Sequence, residues 1–182
     1  MTNEQKQHLL AYLGFYTDKV DGKFGKNSKR ATRDFQLMNY NLEIDGSCGP
    51  ATQAQLKAIV GGSATYMEMI HVNAEMFKCK CKGKGCNGFP VEIDWRLMRY
   101  LDRIIVNCAG ADFRISSGVR CKTHNKAVGG DKNSCHMKGK AVDFAIIGKS
   151  GKATLAMVKE IVGEDLHSAY IIENNWIHMC VK

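Results

Sequence analysis

The sequence predicts an α+β protein: a small three-helix N-terminal domain followed by an α+β domain built on a small antiparallel sheet. Three observations lead there. A turn motif occurs twice near the N-terminus, each copy feeding a helical run. The segment Gly61-Gly62-Ser63 then reads as a short flexible linker. Beyond it, amphipathic helical periodicity mixes with short apolar runs, without the regular strand–helix alternation of a parallel sheet.

The repeat aligns Val20-Asp21-Gly22-Lys23-Phe24-Gly25-Lys26-Asn27-Ser28 with Ile44-Asp45-Gly46-Ser47-Cys48-Gly49-Pro50-Ala51-Thr52, displaced by 24 residues. Each copy is an Asp-Gly turn, a second glycine able to take a left-handed conformation, and a Ser or Thr ahead of a helix. Helices are expected over 4–13, 28–38 and 52–60, with Ala31, Phe35 and Met38 on the core-facing stripe of the second. The expected organisation is a domain over 1–60, a linker over 61–65 and a second domain over 66–182. In that second domain, 92–108 reads as an amphipathic helix with Ile93, Leu97, Leu101, Ile104 and Cys108 on one face. A strand over 113–116 leads into a loop carrying Arg120. Residues 140–147 read as a strand, 152–162 as a helix, and 169–172 and 176–181 as the last strands.

The chemistry concentrates in Ser134-Cys135-His136-Met137-Lys138-Gly139-Lys140-Ala141-Val142-Asp143, which offers an imidazole and a carboxylate seven residues apart. His178, in the last expected strand, is a third candidate ligand. Two histidines and a carboxylate form a three-ligand set that suits zinc and leaves a fourth position for water, as a catalytic site requires. Spacing alone favours the plainer reading, a surface histidine near a core strand.

The wider string decides between these readings. Ser117-Gly118-Val119-Arg120, His124-Asn125, Ser134-Cys135-His136, Gly139-Lys140-Ala141-Val142-Asp143 and Trp176-Ile177-His178 occur in that order. Together they resemble the zinc D-Ala-D-Ala peptidase family, in the branch that includes phage and bacterial L-alanyl-D-glutamate endopeptidases. Residues 3–60, with Leu13-Gly14-Phe15, Asp34-Phe35-Gln36 and the second Asp-Gly turn, resemble the peptidoglycan-binding domain of cell-wall hydrolases. The resemblance implies Zn2+ held by His136, Asp143 and His178 in a zinc peptidase domain. It implies Arg120 as donor to the oxyanion or to a substrate carboxylate, and Ser134 as a group that orients substrate or the metal loop. His124 reads as a structural loop residue. Relatives carry an acid three residues before the last histidine, where this chain has Asn175. Glu173 is the expected general base, reaching the site across a turn at Asn174-Asn175; the alternative is that Asn175 positions water and the base comes from elsewhere.

The implied function is an endolysin-like, bacteriolytic peptidoglycan hydrolase that cleaves the stem peptide, with peptidoglycan as its partner. The alternatives are a D,D-carboxypeptidase and a non-catalytic, metal-stabilised wall-binding protein, the latter favoured by Asn175. Residues 1–10 lack the apolar core of a signal peptide, and no apolar run reaches the length of a membrane span. Synthesis in a host cytoplasm, action on the wall after release and no stable membrane association are expected, with the chain a monomer. A formal charge of +8 favours a polyanionic partner, nucleic acid or an anionic cell envelope, and charge alone does not choose between them. No nucleic-acid-binding motif is present, and the resemblance implies the cell wall and no nucleic acid.

Eight cysteines without an export signal argue against an obligatory disulfide framework. Cys48, Cys108 and Cys180 lie in apolar patterns and read as small buried residues. Cys79, Cys81 and Cys86 cluster in a basic, Gly-rich segment. They read as reduced thiols in a loop, as a second, structural zinc site completed by Cys121 or His124, or as a disulfide formed after release.

Overall fold

The computed structural model describes residues 1–182. Its contacts divide the chain into two compact units, Met1–Glu68 and Met69–Lys182. The first is helical: α1 (Asn3–Tyr12), α2 (Lys26–Leu37) and α3 (Pro50–Val60). A capping box at Thr2 and Gln5 starts α1. Leu10, Phe35 and Leu56, one from each helix, are fully buried in its core. Tyr66 meets Phe15 and Phe35 edge-on at 6.0 and 6.4 Å, which holds the segment after Gly61-Gly62-Ser63 to this unit.

Two buried glutamines explain the sequence repeat. Gln7 donates to Asp21 Oδ1 (3.0 Å) and Ser28 Oγ (3.0 Å), and its Oε1 accepts from the backbone of Asp21 and Gly22. Gln36 likewise donates to Asp45 Oδ1 (2.7 Å) and Thr52 Oγ1 (3.2 Å) and accepts from Gly46 N–H (2.9 Å). Each glutamine clasps one Asp-Gly turn to the start of the following helix. Gly22 and Gly46 sit at φ +71° and +73°, where a side chain would be strained. Gln36→Ala would orphan this buried cluster. It is expected to cost the N-terminal unit about 1–3 kcal/mol in chemical denaturation of the 1–68 fragment.

The second unit is α+β. A four-stranded antiparallel sheet runs in the order β1-β2-β4-β3, from β1 (Phe113–Ser117), β2 (Ala141–Ile146), β3 (Leu166–Ile171) and β4 (Ile177–Val181). Helices α4 (Trp95–Val106) and α6 (Gly151–Val162) pack against it, and the short α5 (Lys122–Ala127) follows the Arg120 loop. Leu97, Leu101 and Ile104 of α4 are fully buried, as the amphipathic stripe requires, while Ile93 lies before the helix begins. Asp102, also fully buried, accepts from the backbone N–H groups of Ile70, His71 and Val72 at 2.7–3.1 Å, tying the start of this unit to α4.

The two central strands, β2 and β4, are buried along their whole length. Alternation sends Val142 and Phe144 to one face of β2 and Asp143 to the other. Cys180 is buried, as its apolar setting predicts, and is in addition disulfide-bonded to Cys135, with Cα atoms 6.3 Å apart. Pairing of β2 with β4 sets Cys180 opposite Ala141, and the turn before β2 brings Cys135 over it.

Candidate active site

The sheet register builds the site. Ser117 of β1, Asp143 of β2, His178 of β4 and Tyr170 of β3 are successive cross-strand partners, so their side chains form one row across one face. His136 joins the row from a 3-10 turn, Cys135–Lys138, that precedes β2. Gly139 ends that turn at φ +72°, and a Cβ there would strike the Glu92 carbonyl oxygen. Only glycine fits the position.

His136, Asp143 and His178 are all buried, and their ligand atoms lie within 4.8 Å of one another. His136 Nδ1 is 2.7 Å from the Gly118 carbonyl oxygen. A carbonyl can only accept, so Nδ1 carries a proton and Nε2 is the nitrogen turned to the site, the usual orientation of a metal-ligating histidine. Gly118 itself is compelled: a Cβ would lie 2.2 Å from the Phe77 carbonyl oxygen. His136 Nε2 and His178 Nδ1 approach the same oxygen, Asp143 Oδ1, at 3.2 and 2.7 Å. Tyr170 stacks on His178 with ring centroids 4.7 Å apart and fixes its plane.

The other oxygen of Asp143 belongs to Arg120, whose Nη2 donates to Oδ2 at 2.7 Å. Arg120 Nε donates to Ser117 Oγ at 2.7 Å, and its backbone N–H to the His136 carbonyl at 3.0 Å. Burial pushes the Asp143 carboxyl up, but hydrogen bonding and charge from His136 and His178 outweigh it and hold it well below the usual carboxylate range. Asp143 is therefore an ionised, oriented carboxylate.

These groups open into a cleft of about 460 Å³ whose lining includes Arg120, Asp143, His124, Lys80, Glu173 and Trp176. Burial, Arg120 and Lys80 lower the pKa of His124, which keeps that imidazole neutral. Ser134, expected to orient substrate or the metal loop, immediately precedes the His136 turn and is not among the groups lining the cleft.

Glu173 and Asn175 are separated by the β3–β4 turn. Asn174 and Asn175 take φ +52° and +69°, the left-handed pair of a tight hairpin, and Trp176 N–H donates to the Glu173 carbonyl at 3.1 Å. Glu173 lines the cleft. Asn175 instead accepts from Gly151 N–H at 2.9 Å, at the start of α6. Ser117, Gly118, Lys80 and Tyr170 went unassigned from sequence, because only the sheet register and the loop contacts bring them to the site.

Residues 65–180, more than half of the chain, match the peptidase M15 family, and the chain belongs to that family. Residues 4–56 match a peptidoglycan binding domain. The chain is similar to a zinc D-Ala-D-Ala carboxypeptidase from Streptomyces albus G, 29% identical over 88% of this chain and 63% of that protein. It is also similar to a spore cortex-lytic enzyme from Halalkalibacterium halodurans, 41% identical over 34% of this chain and 18% of that protein. The N-acetylmuramoyl-L-alanine amidase CwlM of Mycobacterium tuberculosis is 43% identical over 31% of this chain and 15% of its own length. The chain spans less than two thirds of the length of each of these relatives.

Proposed function

We propose that this chain is a zinc-dependent peptidoglycan hydrolase that cleaves the stem peptide, acting as an L-alanyl-D-glutamate endopeptidase of the endolysin kind. The observation that carries the reading is the convergence of His136, Asp143 and His178 beside an open cleft. The donor set fits zinc: two imidazoles and one ionised carboxylate, the tautomer of His136 fixed by Gly118 and the carboxylate oriented by Arg120. Zinc supplies a water acidified toward a pKa of ~7 and Lewis-acid polarisation of the scissile carbonyl.

The protein's own groups supply the rest. Glu173, on the cleft wall, takes the proton from the attacking water and returns it to the leaving amine. Arg120 commits Nε to Ser117 and Nη2 to Asp143, which leaves Nη1 as the terminal nitrogen that would donate to a substrate oxygen. Lys80 adds a second positive charge to the same wall. The family membership and the N-terminal match to a peptidoglycan binding domain support the bacterial wall as substrate. A formal charge of +8 complements an anionic envelope reached after release from a host cell.

One observation favours a second reading. The similarity that covers most of the chain is to a zinc D-Ala-D-Ala carboxypeptidase, and paired Lys80 and Arg120 suit a terminal carboxylate. Digestion of purified walls followed by mass analysis separates the two. Released peptides beginning with D-glutamate are expected; free D-alanine would establish the carboxypeptidase, and walls left intact would make the protein a binder. The 1–68 fragment is expected to sediment with insoluble walls in salt that screens its charge. A fragment left in the supernatant would make that unit a spacer.

A further inference from the structure

Away from the cleft, the segment 78–94 contains no regular helix or strand. A loop this long has little core of its own and needs another source of order. The structure gathers Cys79, Cys81 and Cys86 from this loop with Cys121 from the Arg120 loop. All four sulfurs lie within 4.8 Å of one another. We propose that these four cysteines bind a structural zinc ion as a tetrathiolate site, separate from the His136–Asp143–His178 centre.

The distances favour a metal over paired disulfides. A tetrahedral site with metal–sulfur lengths of ~2.3 Å has sulfur–sulfur edges of ~3.8 Å, whereas a disulfide holds its sulfurs at ~2.05 Å. Cys81 and Cys86 lie 3.5 Å apart, and all four are free thiols, in contrast to Cys135 and Cys180. Backbone donors already point at the sulfurs, as the supporting shell of a thiolate site does. Cys121 N–H donates to Cys79 Sγ (3.4 Å), Gly88 N–H to Cys86 Sγ (3.4 Å) and His124 N–H to Cys121 Sγ (3.3 Å). Sequence left His124 and Cys121 as rival fourth ligands, and the fold chooses Cys121, since His124 turns to the cleft.

Glycine lets the loop close around the sulfurs. A Cβ at Gly85 would lie 2.7 Å from Cys121 Sγ. Val119, Val91 and Ile93 pack against the cluster and keep water from it. Zinc displaces a proton from each thiol and leaves a dianionic unit. The loop that supplies three of the thiols also carries exposed lysines at 78, 80, 82 and 84, of which Lys78 pairs with Glu75 and Lys80 donates to the Ile115 carbonyl oxygen.

The site has a consequence for the cleft. Lys80 lies between two of the ligands and Arg120 immediately precedes the fourth, so one ion fixes both cationic groups of the cleft wall. Metal binding here contributes folding free energy to a loop whose own apolar cluster is small.

Cobalt(II) in place of zinc provides the test, on the full chain purified under reducing conditions. The wild type is expected to bind two cobalt ions and to show thiolate-to-cobalt charge-transfer absorption. The His136→Ala/His178→Ala variant should keep one ion and that absorption, which isolates this site from the catalytic one. Cys81→Ser/Cys86→Ser should lose the absorption and one ion. Should that variant fail to fold, the spectra of the wild type and the histidine variant still decide. Absence of thiolate charge transfer in the wild type would overturn the proposal, as would peptide mapping that finds these four cysteines joined in disulfides in the protein as isolated.

Discussion

Replacing His136 and His178 together by alanine is expected to remove one zinc ion per chain and to lower wall-cleaving turnover by roughly 10³-fold or more, several kcal/mol of transition-state stabilisation. The fold should survive. Val142, Phe144, Ile177 and Met179, which pack the two central strands, are fully buried and untouched by the change. The row that carries the site lies on the opposite face of β2, so its loss removes ligands without opening the core. Asp143 keeps its Arg120 partner in the variant and is not left as an unpaired buried charge. Elemental analysis and circular dichroism together check the prediction. Unchanged zinc content in a folded double variant would sink the metal assignment, and unchanged turnover would sink the catalytic one.

Much of this architecture is legible in the residues, for identifiable reasons. The second and third helices begin within two residues of where the Asp-Gly turns predict them, because those signals are local. Their N-caps are Gly25 and Gly49, and Ser28 and Thr52, expected ahead of the helices, lie inside the first turns. The glutamines that clasp the turns are not legible: a glutamine on a helix reads as a solvated side chain, and only the folded unit reveals that Gln7 and Gln36 are buried. The same division holds at the site. His136, Asp143 and His178 can be named from an ordered motif, and the fold brings them together. Their order across the sheet cannot be, since β1-β2-β4-β3 places β4 between strands that precede it in sequence. That order is what adds Ser117 and Tyr170 to the row and sets Cys180 near Cys135. Arg120 illustrates the limit of motif reasoning. Its residue type suits an oxyanion, but two of its donors are committed to Ser117 and Asp143. Part of its work is to hold a ligand in place.

Glu173→Gln is expected to keep the fold and the bound metal while lowering turnover by roughly 10²-fold or more, the scale of a positioned acid–base group. Glutamine preserves size and hydrogen bonding but cannot accept the proton of the attacking water. The position is set by backbone geometry. The tight turn at Asn174-Asn175 ends β3 early and leaves Glu173 on the cleft wall with Arg120, Asp143 and Trp176. Asn175, two residues on, faces the other way, so Asn175→Ala should act on stability and not on chemistry. Its cost is about 1–2 kcal/mol, from the lost bond to Gly151 N–H and the left-handed backbone that alanine tolerates poorly. The pair of variants therefore separates base from scaffold. Normal kcat in Glu173→Gln would move the proton-accepting role to another group on the cleft wall and leave the metal ligands unaffected. A large kcat loss in Asn175→Ala at unchanged stability would show that the turn itself takes part in catalysis.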